Sequence, residues 1–122
     1  VCIDFAFEMQ FCADYMSIIT DTATPLEMRT IEPCILARMP VATFRQLGRT
    51  PMGLQIMLIS AEVSFVDKQQ QQIDLLTKSA TQRLLELETR YPGIADRVAQ
   101  KYIASYLGIT PQSLSRIRRL YT

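Results

Sequence analysis

"QKYIASYLGITPQSLSRIRR", residues 100–119, places two short apolar-patterned segments either side of a single glycine. The spacing predicts two helices joined by a tight turn. With Gln100 as the first helical residue, Ile103 and Leu107 point inward, and Ala104 is small enough for the second helix to cross closely. Gly108 falls at the turn, where a positive φ is wanted and a side chain would be strained. Ile109 plugs the turn into the core. The Thr110 hydroxyl caps the next helix, and Pro111 at its first position loses no needed hydrogen bond.

The second helix, over 111–121, buries Leu114 and Ile117, with Tyr121 one turn further on. Gln112, Ser115, Arg116 and Arg119 fall at i, i+3, i+4 and i+7 on its other side, forming one polar stripe. Such a stripe suits the major groove of DNA, where Arg can pair with guanine O6 and N7 and Gln with adenine N6 and N7. Thr110, Ser113, Lys101 and Arg118, with the first backbone amides of the helix, suit phosphate. The plain alternative is a helical hairpin with a charged surface. The shared register of glycine, small residue, apolar positions and cap favours the helix-turn-helix reading.

Charge points the same way. All 12 Asp/Glu lie before residue 97, whereas residues 97–122 hold Arg97, Lys101, Arg116, Arg118 and Arg119 and no acid, on a chain of formal net charge +1. A basic end on a mildly acidic body suggests a polyanionic partner, double-stranded DNA. Cys2, Cys12 and Cys34 match no zinc or redox spacing and read as buried apolar residues in a reducing compartment. With no His, the commonest metal ligand and general base is missing. No metal site and no catalytic residue is expected, and no enzyme: neither a Ser-base arrangement nor a glycine-rich phosphate loop nor paired carboxylates can be found. The longest apolar stretch, Met52 to Val66, is broken by Gln55, Ser60, Glu62 and Ser64, so no membrane span or signal peptide is expected, and the localisation reads as cytoplasmic.

Further upstream, Val1–Phe7 and Met28–Met39 are rich in β-branched and aromatic residues and bounded by turn-prone sequence, so they read as strands. Because Val1 falls inside the first of these, the chain reads as a fragment. Pro40–Leu47 followed by Gly48 reads as a short helix. From Pro51 the period becomes helical, with Leu54, Leu58, Ala61 and Phe65 on one stripe and Ile56, Ile59, Val63 and Val66 on a second. A helix over 51–76 would be about 40 Å long, too long for so small a domain to cover, which predicts a homodimer joined along it. Ser79 is the expected N-cap of a following helix that stops at Tyr91-Pro92-Gly93, with a short helix over Ile94–Ala99 after it.

"RVAQKYIASYLGITPQSLSRIRR" resembles the DNA-binding end of the Crp/Fnr family of bacterial transcription regulators, in the shorter form of Bacteroidetes members. "FCADYMSIITDTATPLEMRTIEPCILARMPVATFRQL" is similar to the second half of the family's cyclic-nucleotide-binding β-roll and the helix after it. The resemblance implies an α+β fold. Residues 1–50 would be the C-terminal part of a jelly-roll, 51–76 the dimerisation helix, and 77–122 a helix-turn-helix domain without its wing. It implies a dimer reading a palindromic operator, with an unknown small-molecule effector and RNA polymerase as further partners. Where cyclic-AMP-binding members carry Gly-Glu and later Arg-Ser, this chain has Ala13-Asp14 and Thr24-Pro25. No arginine is left to balance a cyclic phosphate, so the cassette reads as degenerate, the effector as something other than cyclic AMP, and no cofactor is expected. The competing function is a small-molecule or protein-binding sensor module that no longer binds DNA.

Overall fold

The computed structural model describes residues 1–121, so Thr122, the last residue of the expected DNA-binding domain, lies outside it. Among the described residues the chain forms helices only: α1 (Tyr15–Thr20), α2 (Val41–Leu47), α3 (Pro51–Thr77), α4 (Ala80–Arg90), α5 (Ile94–Arg97), α6 (Gln100–Leu107) and α7 (Pro111–Tyr121). The expected α+β fold with a partial jelly-roll is therefore wrong; the protein is small and all-helical, with no strand among the described residues.

A strand exists only where a neighbour completes its hydrogen-bond ladder, and neither expected segment has one. In Val1–Phe7 the alternation serves another purpose. Phe5 packs on Tyr106 at 5.2 Å between ring centroids and Phe7 on Tyr91 at 4.5 Å, so the extended segment straps helices rather than pairing with a sheet. The Cys2 N–H fastens its start by donating to Ser105 Oγ at 2.8 Å. Met28–Met39 is exposed along nearly its whole length and forms neither strand nor helix.

The chain divides into two compact units. One is Cys12–Ile73. Here α1, read from sequence as part of the β-roll, begins where the Asp14 carboxylate accepts the Ser17 N–H at 3.4 Å and ends at Asp21 in the left-handed region. α2 starts after Pro40 and ends at Gly48, as expected. A Cβ on the buried Gly53 would sit 1.9 Å from the Leu47 carbonyl oxygen, so only glycine lets the end of α2 lie on the first turn of α3. α3 runs one residue past the expected 51–76. Leu54, Leu58 and Phe65 on one of its stripes and Ile56, Ile59, Val63 and Val66 on the other are all more than half exposed, and Ala61 is half-buried. The cysteines are not buried apolar residues either: Cys12 and Cys34 are exposed and Cys2 is half-buried.

The second unit joins Val1–Phe11 to the chain from Asp74 onward and holds the hydrophobic core. Ser79 accepts the Gln82 N–H at 3.2 Å while the Gln82 side chain accepts the Ser79 N–H at 2.9 Å, a reciprocal cap that starts α4. Leu84 and Leu87 of α4, Ile94 of α5, Val98, Ile103, Ala104 and Leu107 of α6, and Leu114 of α7 are buried together. α5 stops at Arg97, two residues earlier than expected, because Val98 leaves helical geometry to enter this core.

Leu114 has no exposed surface, whereas Leu120 is 77% exposed. Leu114→Ala is expected to lower unfolding free energy by about 2–5 kcal/mol, and Leu120→Ala to stay within about 0.5 kcal/mol of the parent. Urea denaturation followed by circular dichroism checks both, and equal losses would contradict the burial described.

Candidate nucleic-acid interface

Local backbone chemistry sets how α7 is mounted. α6 ends at Gly108, φ +69°, where an L side chain is strained. Beyond it the Ile109 N–H donates to the Ala104 carbonyl at 3.0 Å, and the half-buried Ile109 side chain packs on the core. The Thr110 hydroxyl accepts the Ser113 N–H at 3.1 Å, and its carbonyl accepts the Leu114 N–H at 3.0 Å. Two helices at a tight turn, the second capped by Thr110 and opened by Pro111, follow the sequence reading. With Leu114 buried against α6, α7 must turn its opposite edge outward.

That edge carries Gln112, Arg116 and Arg119, all exposed. Among the described residues, no carboxylate lies within ion-pair distance of Arg116 or Arg119. Ser115 shares the stripe but is half-buried, and the Gln100 side-chain amide donates to its hydroxyl at 2.9 Å. Sequence reasoning took Gln100 only as the start of α6. A glutamine at the start of one helix facing a serine on the next was the available signal.

Residues expected at phosphate are distributed differently. The Thr110 and Ser113 hydroxyls lie 3.0 Å apart at the start of α7, and Lys101 is exposed with its ammonium 4.9 Å from the Tyr102 ring centroid. Arg118 projects away from the stripe and meets Glu88 of α4 at 3.5 Å. Helical periodicity accounts for this, because at 100° per residue Arg118 stands about 160° from Arg116 around the axis. Arg97 is also engaged: its guanidinium takes both oxygens of Glu8, at 2.7 and 3.1 Å, and lies 5.2 Å from the Phe7 ring centroid. Of the five cations expected to be unopposed, Arg97 and Arg118 thus face carboxylates. A residue count could not reveal this, because Glu8 lies 89 positions from Arg97 in the chain.

In the other unit, two members of the expected cassette meet. Thr24 donates to Asp14 Oδ2 at 2.6 Å while Asp14 Oδ1 caps α1, so both oxygens of the carboxylate are occupied by the chain itself. Asp14 and Pro25 line an open depression with Ser17, Thr20 and Thr22, and Ala13 is exposed beside it. The nearby Arg45 donates to the Ile18 carbonyl and to Asp21, each at 3.1 Å. Without strands there is no β-roll to hold this cassette. Among the described residues, no group of three His, Cys, Asp or Glu could hold a metal ion, and no helix is long and apolar enough to cross a membrane.

No family model, no curated protein and no solved structure matches this chain. With no family match and no strand, the resemblance to the Crp/Fnr family does not stand, nor does the cyclic-nucleotide-binding-like domain it implied. The helix-turn-helix reading likewise has no family support, and what remains of it is the local geometry of α6 and α7.

The hydrogen bonds from Arg97 hold the Glu8 carboxyl below the usual glutamate value. A depressed carboxyl contributes stability that is present above its unfolded value and lost as pH falls through its folded one. NMR titration is expected to find Glu8 ionising below an ordinary glutamate, and to find it moved upward in Arg97→Ala. An unchanged Glu8 titration in that variant would dissolve the pairing.

Proposed function

We propose that this chain binds double-stranded DNA through the exposed edge of α7, as a homodimer joined along α3, and acts as a sequence-reading transcription regulator. The observation that carries the proposal is the display of Gln112, Arg116 and Arg119 on one exposed edge of a helix whose opposite face is clamped by Leu114. Guanidinium groups that lack a carboxylate among the described residues keep their donors for a ligand, and an edge that mixes Arg with Gln suits base recognition better than a purely anionic surface. Thr110, Ser113 and the first amides of α7 supply phosphate contacts that set register.

Dimerisation follows from α3. It spans 27 residues, about 40 Å, and leaves large apolar side chains exposed on two stripes. A second copy covers such a surface symmetrically, and a two-fold dimer carries two copies of α7, as the two half-sites of a palindrome require. An effector acting on residues 12–73 and RNA polymerase are further partners that this reading accommodates.

Selection from random duplex DNA is expected to enrich a palindromic site, with affinity falling by about 0.9 in log–log slope against salt for each phosphate contact. Arg116→Ala should weaken the selected site by about 1–3 kcal/mol and random DNA far less, whereas Lys101→Ala should weaken both equally. No enriched sequence, or affinity flat against salt, would favour a sensor module that does not bind DNA.

A further inference from the structure

Gln100 opens α6 and Ser115 lies on α7, and the Gln100 amide nitrogen donates to the Ser115 hydroxyl at 2.9 Å across the turn between the two helices. Both side chains are half-buried, and both belong to the unit that holds the hydrophobic core. Among the described residues this is the one hydrogen bond that either side chain makes. A serine hydroxyl has one proton and two lone pairs. Because Gln100 occupies a lone pair, the proton of Ser115 is not spent on α6. It is not spent on α7 either. Serine and threonine in a helix commonly turn the hydroxyl back to the carbonyl four residues earlier. Thr20 does so to the Met16 carbonyl at 2.7 Å, and Thr89 to the Leu85 carbonyl at 2.8 Å. Ser115 has the Pro111 carbonyl at the same spacing and, among the described residues, makes no such bond.

We infer that Gln100 is a positioning residue for base recognition: by donating to the Ser115 hydroxyl it keeps the hydroxyl proton for the ligand, so that Ser115 favours a base atom that accepts, thymine O4 or guanine O6 or N7, over the cytosine amino group. The inference rests on the DNA-binding reading above and adds which bases one position of the exposed edge selects. An unrestrained serine hydroxyl rotates to suit a donor or an acceptor, and so carries little sequence information of its own. A hydroxyl held by an amide differs in two ways. Its orientation is fixed from the side of α6, and accepting one hydrogen bond polarises it, which strengthens the bond it donates. Gln100 thereby acts on the bases through Ser115 without touching them.

The test uses the whole chain and selection from random duplex DNA. Ser115→Ala identifies the base position that Ser115 reads, as the one whose preference it flattens. At that position the parent is expected to prefer thymine or guanine over cytosine by about three- to tenfold. Gln100→Met removes the donor at similar length and should flatten the preference. Gln100→Glu, whose carboxylate accepts the hydroxyl proton, should invert it toward cytosine or adenine. In a Ser115→Ala background, Gln100→Glu should leave the position flat. Base preference is a ratio, so a uniform loss of affinity from the added charge does not enter it. Circular dichroism identifies a Gln100 variant that fails to fold, and the other then carries the comparison. Equal preference in the parent and the folded Gln100 variants would overturn the inference while leaving DNA binding intact. So would a parental preference for cytosine, no position flattened by Ser115→Ala, or a shift by Gln100→Glu in the Ser115→Ala background, which would put Gln100 itself on the base. Failure of the parent to select any sequence would instead sink the DNA reading, and this assignment with it.

Discussion

The burial of Leu114 against Ile103, Ala104 and Leu107 is the contact from which α7 and the exposed edge it carries take their orientation. A fully buried leucine fixes the rotation of a helix about its own axis, because turning α7 by one residue would expose it and bury a polar neighbour. Ala104 matters to the same degree through its small size, since the two helices can approach closely only where one side chain is short. Gly108 and Thr110 determine where α7 begins, and Leu114 determines which edge faces outward. Gln112, Arg116 and Arg119 are exposed as a consequence.

Charge is arranged around that mount in two classes. Arg97 and Arg118 face Glu8 and Glu88 and hold parts of the unit together. Lys101, Arg116 and Arg119 are left toward solvent. A polyanion meeting this surface would encounter the second class directly, while the first acts by keeping the strap and α4 in place. The same division separates residues that can supply affinity from residues that can supply geometry, and sequence position alone does not sort them.

Much of the helical unit was legible because its signals are local. Ser79 with Gln82, Tyr91-Pro92-Gly93, Gly108 and Thr110-Pro111 each act within a few residues, and the structure places helix ends at all of them. The N-terminal half was misread because strand identity is not local. "VCIDFAF" alternates as a strand does, yet its aromatics found Tyr91 and Tyr106 rather than a sheet. The β-branched content of 28–39 favoured extended backbone without supplying anything to pair with. α1 went unseen because Asp14, its N-cap, was assigned to a nucleotide cassette by resemblance. Arg118 stands on α7 at an angular position that already separated it from the stripe of Gln112, Ser115, Arg116 and Arg119.

The unit that carries α7 is discontinuous, since its first eleven residues return to it only after the chain has passed through residues 12–73. The Cys2 amide finds Ser105 across 103 positions. On a ribosome this strap therefore emerges before the helices it will cover, and Phe5 and Phe7 meet their partners only once Tyr91 and Tyr106 have been made. Closure of so wide a loop costs entropy that grows only slowly with its length, so the delay is one of timing more than of final stability. Tethering of the strap thus waits on the synthesis of α6, which carries Ser105.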